Sequence, residues 1–384
     1  MLIGKIVLDK ILNYIIRFIK PNFKKSNLNI SATMAEFLGA PNSNSTLPVL
    51  KRELNKNYKN VVFIIFDGLG INPIAINLEK NAILRKGIVK MLVSTFPSTT
   101  TNATTSLATN TYPLQHGWLG WSLNFPEIHR NLDIYMGKDS QTAEKVEYKM
   151  PLADNTEYYF DMAHTDYQIN SIFMPYCKVK NAEQNTYVTD HFQLCAKIKE
   201  IINRPTKQFV YAYYENPDQI MHVHGVSSAE AKNNIQSIND QIQKLYDESQ
   251  DTLFVITADH GQVDITDYIE FYSDKVLNEM LVCPAYLDAR AVAFRVKDEC
   301  KKDFEKQFKA KYSKDFVLFK SSDLIKKGYF GKSGDKGSLL GDYIAIGTYT
   351  NKQFLYSKNC TRFKGHHTSL TKEMLVPLIM LKKH

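Results

Sequence analysis

Cysteine is scarce in this sequence and shows no pairing pattern. Cys177, Cys195, Cys283, Cys300 and Cys360 are odd in number and widely spaced, with no CxxC pair. A zinc knuckle and a CxxC redox site are excluded, and a reducing, cytoplasmic setting is the simplest expectation. Long uninterrupted apolar runs are missing as well. Even the apolar N-terminus, MLIGKIVLDKILNYIIRFIKPNFKKS, is broken by Lys5, Asp9, Lys10 and Arg17, so it offers no signal-peptide core or membrane span. Long basic blocks are absent too. The net charge is +8, but the lysines are scattered, as in the pair Lys301 and Lys302, which points weakly to anionic substrates and leads us to expect no nucleic-acid partner. No internal repeat occurs. With 44% apolar and 23% charged residues, disorder cannot dominate, and 384 residues exclude a small stapled scaffold.

What is present begins with a helical pattern. Ile3, Val7, Ile11, Tyr14, Ile15, Phe18 and Ile19 recur at helical spacing, which predicts an amphipathic helix ending before Pro21. Docking on the protein itself or on a partner is the expected role, with membrane-surface contact as the alternative. Residues 22–57 are polar and carry turn formers, as in APNSNST, and are expected to connect this helix to the main domain.

From residue 58 the pattern changes. Val61–Phe66 is an unbroken apolar run rich in β-branched and aromatic residues, as in a parallel strand buried on both faces, and Asp67 follows it. QFVYAYYENPD leads in the same way to Asp218, and TLFVITADH to Asp259 and His260. Ser228–Tyr246, with Ile235, Ile238, Ile242 and Leu245 on one face, supplies a crossover helix. These elements predict an α/β fold: a doubly wound, mostly parallel sheet with helices on both faces. Ligands of such sheets bind beyond the carboxyl ends of the strands. The irregular stretch 122–185 is expected to form a lid or surface insertion. Residues 285–335 read as strand, helix, strand and a Gly-rich loop, which suggests a small α/β cap subdomain. The expected units are thus 1–57, a catalytic domain of 58–284 with 336–384, and the cap.

Taken singly, the polar residues say little, because an Asp after a strand is often a helix cap and a lone His is more often a surface or satisfied core residue. Together they are informative. Asp67, the run FPSTTTNATTSLATN, Asp218 with His222 four residues on, Asp259 with His260, and His366 with His367 supply the carboxylates and imidazoles that metal-assisted phosphate chemistry requires. Oxygen and nitrogen ligands without cysteine suit zinc, with manganese as the alternative.

In these blocks the chain resembles the alkaline phosphatase superfamily, in particular its type I phosphodiesterase and nucleotide pyrophosphatase family. The markers, in family order, are FDGLG, FPSTTTNATTSLATNTYPLQHGW, PDQIMHVHG, TADHGQ and GHHTSLTKEM, spanning roughly residues 58–384. The resemblance implies an alkaline-phosphatase-like catalytic domain acting on small-molecule phosphate esters, most readily phosphodiesters or phosphoanhydrides. It implies two divalent metal ions. One would be held by Asp67, Asp259 and His260 and contact the nucleophile, the other by Asp218, His222 and His367. The family's reactive threonine falls on Thr100, three residues after Pro97, with Thr99 and Thr101 open through a one-residue slip. Register to Leu370 favours His367 over His366, and His224 is an imidazole that the family pattern does not require.

Two departures bear on substrate. Nucleotide-cleaving relatives carry an aromatic–proline–asparagine run after the nucleophile, where this chain has Thr101, Asn102 and Ala103, and Trp121 stands where such enzymes place a phosphate-binding asparagine. Asn102 is a candidate donor to phosphoryl oxygens, and Trp121 a candidate substrate wall or a packed core residue. The competing activities on the same metal core are phosphomonoesterase, phosphonate-ester hydrolase and phosphoryl transferase. The sulfatase context is absent around Thr100, and a phosphoglycerate mutase of this superfamily would show a serine nucleophile. Outside enzymes, the alternative is a basic metal-binding protein contacting nucleic acid or anionic lipid. The sequence carries no signal of oligomeric state.

Overall fold

Asn60–Phe66 is buried at all of its positions, as a strand covered on both faces must be, and it lies at the heart of the central sheet. The computed structural model describes residues 18–148, 152, 157–177 and 185–383. Within them the central sheet has seven strands in the order Ile88–Val93, Leu375–Lys383, Thr252–Thr257, Asn60–Phe66, Gln208–Tyr214, Gln168–Phe173 and Thr186–Tyr187. The pairings from Thr252–Thr257 through to Thr186–Tyr187 are parallel, and Leu375–Lys383 runs antiparallel to both of its neighbours. This is the mixed, mostly parallel sheet expected of the α/β class.

Two groups of helices accompany the sheet. Ala229–Asp247 starts at Ser228, whose hydroxyl caps Ala231 N–H, and buries Ile235, Ile238, Ile242 and Leu245. It packs with His191–Ile202 and Ile71–Asn77, while Leu28–Phe37 packs with Pro48–Leu54 and Thr100–Thr109. Side chains such as Phe63, Phe66 and Ile64 are fully buried, each contributing roughly 1.5–3 kcal/mol relative to exposure.

A second sheet, antiparallel throughout, runs in the order Phe316–Lys320, Tyr343–Gly347, Ala291–Phe294, Tyr286–Asp288, Ser122–Phe125, Arg130–Asp133 and Lys138–Asp139. Helix Lys301–Tyr312 buries Phe304 and Phe308 against Phe294, Phe316 and Phe354. This sheet therefore draws strands from beyond residues 285–335. Its strands need antiparallel partners, and these come from 122–139 and 343–347, a long-range pairing with no local sequence signal. The described part of the stretch 122–185 contributes to both sheets. Its first part builds the second sheet, and Gln168–Phe173 joins the central one.

Residues 22–57 are also more than a connector. They form helices Leu28–Phe37 and Pro48–Leu54, with Leu28, Ile30, Met34 and Leu50 fully buried. The polar residues of this segment disguised it, because they are satisfied inside the protein. Asn27 donates to the Asp259 carbonyl at 3.0 Å, and Asn29 to the carbonyls of Phe23 and Ser45 at 2.9 and 2.7 Å. The amphipathic helix expected before Pro21 falls almost wholly on residues 1–17, outside the described residues. No helix among the described residues is long and apolar enough to cross a membrane.

Candidate metal centre

Three adjacent parallel strands bring their carboxyl ends to one place. Phe66 pairs with Tyr214, and Ile65 with Thr257, so Asp67, Asp218 and Asp259 leave the sheet side by side. The backbone ladder continues past the strand ends, with Asp67 N–H donating to the Tyr214 carbonyl at 2.9 Å and Asp218 N–H to the Asp67 carbonyl at 3.1 Å. Such close approach requires glycine at position 68. Its φ is +70°, and a Cβ there would lie 2.9 Å from Asp218 Oδ1.

His260 Nε2 lies 3.4 Å from Asp67 Oδ1 and 3.3 Å from Asp259 Oδ2, so Asp67, Asp259 and His260 form one buried cluster. His222, one helical turn beyond Asp218 on Asp218–His224, places Nε2 3.1 Å from Asp218 Oδ2. The second expected triad is arranged differently from a single cluster. Asp218 groups with His260 and His367, whereas His222 groups with His366 and His367. His367 is the shared member, with its ring centroid 3.9 Å from that of His260 and 5.1 Å from that of His222. His224 is exposed and faces Glu230 at 3.7 Å, away from these groups.

Hydrogen bonds set the imidazole tautomers. A carbonyl oxygen can only accept, so His222 Nδ1 at 2.8 Å from the Gly365 carbonyl carries its hydrogen, as does His260 Nδ1 at 3.1 Å from the Gly261 carbonyl. In the neutral ring each Nε2 is thereby free to bind a cation, the arrangement of a metal-ligating histidine, while without a cation Nε2 of His222 carries a proton toward Asp218.

Thr100 opens helix Thr100–Thr109, with Thr99 in extended conformation before it. Its hydroxyl is 3.2 Å from Asp67 Oδ2 and 3.3 Å from His260 Nε2. The neighbouring threonines point elsewhere. Thr99 donates to Asp288 at 2.9 Å and Thr101 to the Gly120 carbonyl at 2.7 Å, and both are fully buried. Asn102 is fully buried, one N–H of its amide donates to the Pro97 carbonyl at 2.7 Å, and its Oδ1 has no hydrogen-bond partner. Trp121 is half-buried, in a wall with Trp118 and Tyr135. Tyr135 reaches helix Thr100–Thr109 through a 2.9 Å bond to Thr104. Asp133 backs this wall, and burial pushes its carboxyl up to about 6 against the opposing hydrogen bond from Trp121.

The electrostatics of the cluster call for cations. Burial, then the charges of Asp259 and Asp218, raise the Asp67 carboxyl well above the usual range. Burial and Asp218 raise Asp259 to about 7. Burial pushes Asp218 up as well, but the imidazole of His222 outweighs it and holds Asp218 at about 2. The ion-pair partners of these carboxylates among the described residues are imidazoles. Asp67 Oδ1, Asp259 Oδ2 and His367 Nδ1 are buried without a hydrogen-bond partner, although unsatisfied buried polar atoms are costly. An oxygen-and-nitrogen donor set with orphaned acceptors fits divalent cations.

Sequence reasoning missed three contributors. Tyr213 donates its hydroxyl to Asp67 Oδ2, Gln262 donates to Asp218 Oδ1, and Asp288 accepts from Thr99 and His366. Gln262 stood within TADHGQ. Tyr213 had only its strand alternation as a signal, and Asp288 had none.

Comparison with known proteins places this geometry in context. A family model described as type I phosphodiesterase / nucleotide pyrophosphatase matches residues 61–369. Among solved structures, murine ectonucleotide pyrophosphatase / phosphodiesterase 5 is similar with a TM-score of 0.64 at 15% identity, over 83% of this chain and 87% of that one. The human form of that protein gives 0.59 at 16% identity over 83% and 87%. Phosphonoacetate hydrolase from Sinorhizobium meliloti 1021, in complex with phosphonoformate, gives 0.58 at 14% identity over 84% and 90%. A search of curated protein sequences found no match.

Proposed function

The chain belongs to the type I phosphodiesterase / nucleotide pyrophosphatase family, a family of hydrolases within the alkaline phosphatase superfamily, and from that premise we propose a two-metal hydrolase that cleaves phosphodiester or phosphoanhydride bonds through Thr100. The observation that carries the reading is the Thr100 hydroxyl, set 3.2 and 3.3 Å from Asp67 and His260 at a helix N-terminus. Asp67, Asp259 and His260 would hold one cation, and Asp218, His222 and His367 the other. Zinc suits this donor set, with manganese as the alternative. Bound cations supply Lewis acidity and lower the pKa of hydroxyls beside them.

The chain's own groups do the rest. Thr100 Oγ donates its proton toward Asp67 Oδ2, which leaves an oxygen lone pair for phosphorus. First-turn N–H groups of helix Thr100–Thr109 lack intrahelical acceptors and favour the charge that builds on phosphoryl oxygens. In-line attack forms the Thr100–phosphorus bond as the leaving-group oxygen departs, and water attacking that phosphothreonine from the opposite side regenerates Thr100. The aromatic wall of Trp118, Trp121 and Tyr135 borders the nucleophile helix and offers the leaving group an apolar surface.

A second reading, phosphonate hydrolysis, is favoured by the similarity to phosphonoacetate hydrolase. A panel of diesters, phosphoanhydrides, monoesters and phosphonates, tested on zinc-loaded protein with matched leaving groups, separates the two. Higher kcat/KM on diesters or anhydrides is expected. A clear preference for phosphonates or monoesters rejects the substrate assignment and leaves the metal core standing.

A further inference from the structure

His366 has no part in the ligand set proposed above, yet it is built like a ligand. It is buried, with 4% of its surface exposed. Its Nε2 lies 3.0 Å from Asp288 Oδ1, and a carboxylate oxygen accepts, so Nε2 carries the hydrogen and the lone pair resides on Nδ1. That Nδ1 is buried without a hydrogen-bond partner, as is Nδ1 of His367. One ring nitrogen from each of His222, His366 and His367 falls within 4.8 Å of the other two. The ring centroid of His366 lies 5.1 Å from that of His222 and 4.6 Å from that of His367. Phe363 covers the group, stacked on His366 at 4.9 Å and tilted over His222 at 4.3 Å.

Asp288 explains how His366 is held. It ends strand Tyr286–Asp288 of the second sheet, and its carboxylate accepts from His366 Nε2, from Thr99 Oγ at 2.9 Å and from Ala289 N–H at 2.6 Å. A carboxylate on the far nitrogen of an imidazole sets the ring's orientation and raises the basicity of the near nitrogen, as in carboxylate–histidine–metal arrangements. A buried imidazole nitrogen left unpaired is costly, and a bound cation removes that cost. We propose that His366 is a further ligand of the second divalent-cation position, binding through Nδ1 beside His222 and His367, with Asp288 of the second sheet as its positioning residue. Through Thr99, the same carboxylate ties this ligand to the residue preceding the nucleophile.

The inference rests on the two-metal reading, and cobalt(II) tests both while telling them apart. The full chain is titrated with cobalt(II) alone, and the exchangeable imidazole N–H protons shifted by the paramagnetic ion are counted by proton NMR. Two cobalt sites are expected, with shifted signals from His222, His260, His366 and His367. His366→Gln should remove one signal. Asp288→Asn should keep the signal but move it, and should weaken cobalt at the second position roughly 10- to 100-fold. Two cobalt sites with signals from only three histidines in the wild-type protein, which needs no variant to fold, would overturn the inference and leave the two-metal reading intact. Wild-type second-site affinity in His366→Gln would overturn it as well. Fewer than two cobalt sites in the wild-type protein would sink both.

Discussion

Replacing Asp259 by asparagine should stabilise the metal-free protein and disable the metal-loaded one. Asp259 is fully buried. Its Oδ1 accepts from Gly68 N–H at 3.1 Å and His260 N–H at 2.8 Å, while Oδ2 has no hydrogen-bond partner and lies 3.3 Å from His260 Nε2. Burial, then the charge of Asp218, raises its carboxyl to about 7, against about 3.9 in an unfolded chain. With the folded value above the unfolded one, the unfolded chain releases its proton first. Stability without metal is therefore retained below pH 4 and falls as the pH rises to about 7. The interval from about 4 to about 7, at 1.36 kcal/mol per pH unit, sets a ceiling of about 4 kcal/mol. Asparagine keeps both backbone hydrogen bonds through its own Oδ1 and puts a neutral donor in place of the orphaned oxygen. Urea unfolding with a chelator present should show Asp259→Asn more stable than wild type by roughly 1–4 kcal/mol at pH 8, the difference vanishing near pH 4. With zinc the gap should narrow by about 2.7 kcal/mol, since each site saturated at about a hundredfold excess over its Kd adds that much to the wild type and the variant forgoes it at one site. A metal-free variant less stable than metal-free wild type at pH 8 would refute the reasoning.

Thr100→Ala should lower kcat by at least about 1000-fold and retain both metals by elemental analysis, while Thr100→Ser recovers part of the activity; normal turnover in the alanine variant would remove Thr100 from the mechanism. Tyr213→Phe deletes the hydroxyl that donates to Asp67 and should weaken metal affinity by about tenfold or more, as read by competition with a chelating dye; unchanged affinity would make that bond incidental. His116 accepts from Trp118 N–H at 3.0 Å, contacts Ser106 at 2.9 Å and is held neutral by burial, which lowers it to about 3. Its folded value is depressed, so its contribution is present above pH 6.5 and is lost as the pH falls from 6.5 toward 3. His116→Gln should flatten that part of the stability profile, and an unchanged slope would argue that the ring is already protonated in the fold.

Legibility in the sequence followed the range of the physics involved. A strand buried on both faces must be apolar throughout, so the three runs before Asp67, Asp218 and Asp259 could be recognised locally, and parallel pairing then had to gather their ends. The helix Ala229–Asp247 was equally plain, because one apolar stripe at helical spacing specifies which face is covered. Residues 22–57 were not legible, since Asn27 and Asn29 are polar in composition and core in position, satisfied by carbonyls that only the folded chain supplies. The second sheet was legible only in its 285–335 portion, because antiparallel partners from 122–139 and 343–347 leave no mark at that distance.

At the site, the sequence by itself determined which kinds of donors the chain carries and in what order its strands and helices deliver them, because residue type and hydrophobic period are local properties. Tertiary structure alone decided which hydroxyl of Thr99, Thr100 and Thr101 meets Asp67, since successive side chains point in different directions and only the packed surroundings choose the bearing. It likewise turned Asn102 into the core, set His222 with His366 and His367, and brought Asp288 from another sheet to Thr99, the residue before Thr100. Contacts across 189 positions of chain, as between Thr99 and Asp288, depend on where two sheets come to rest against each other, and no local pattern encodes that.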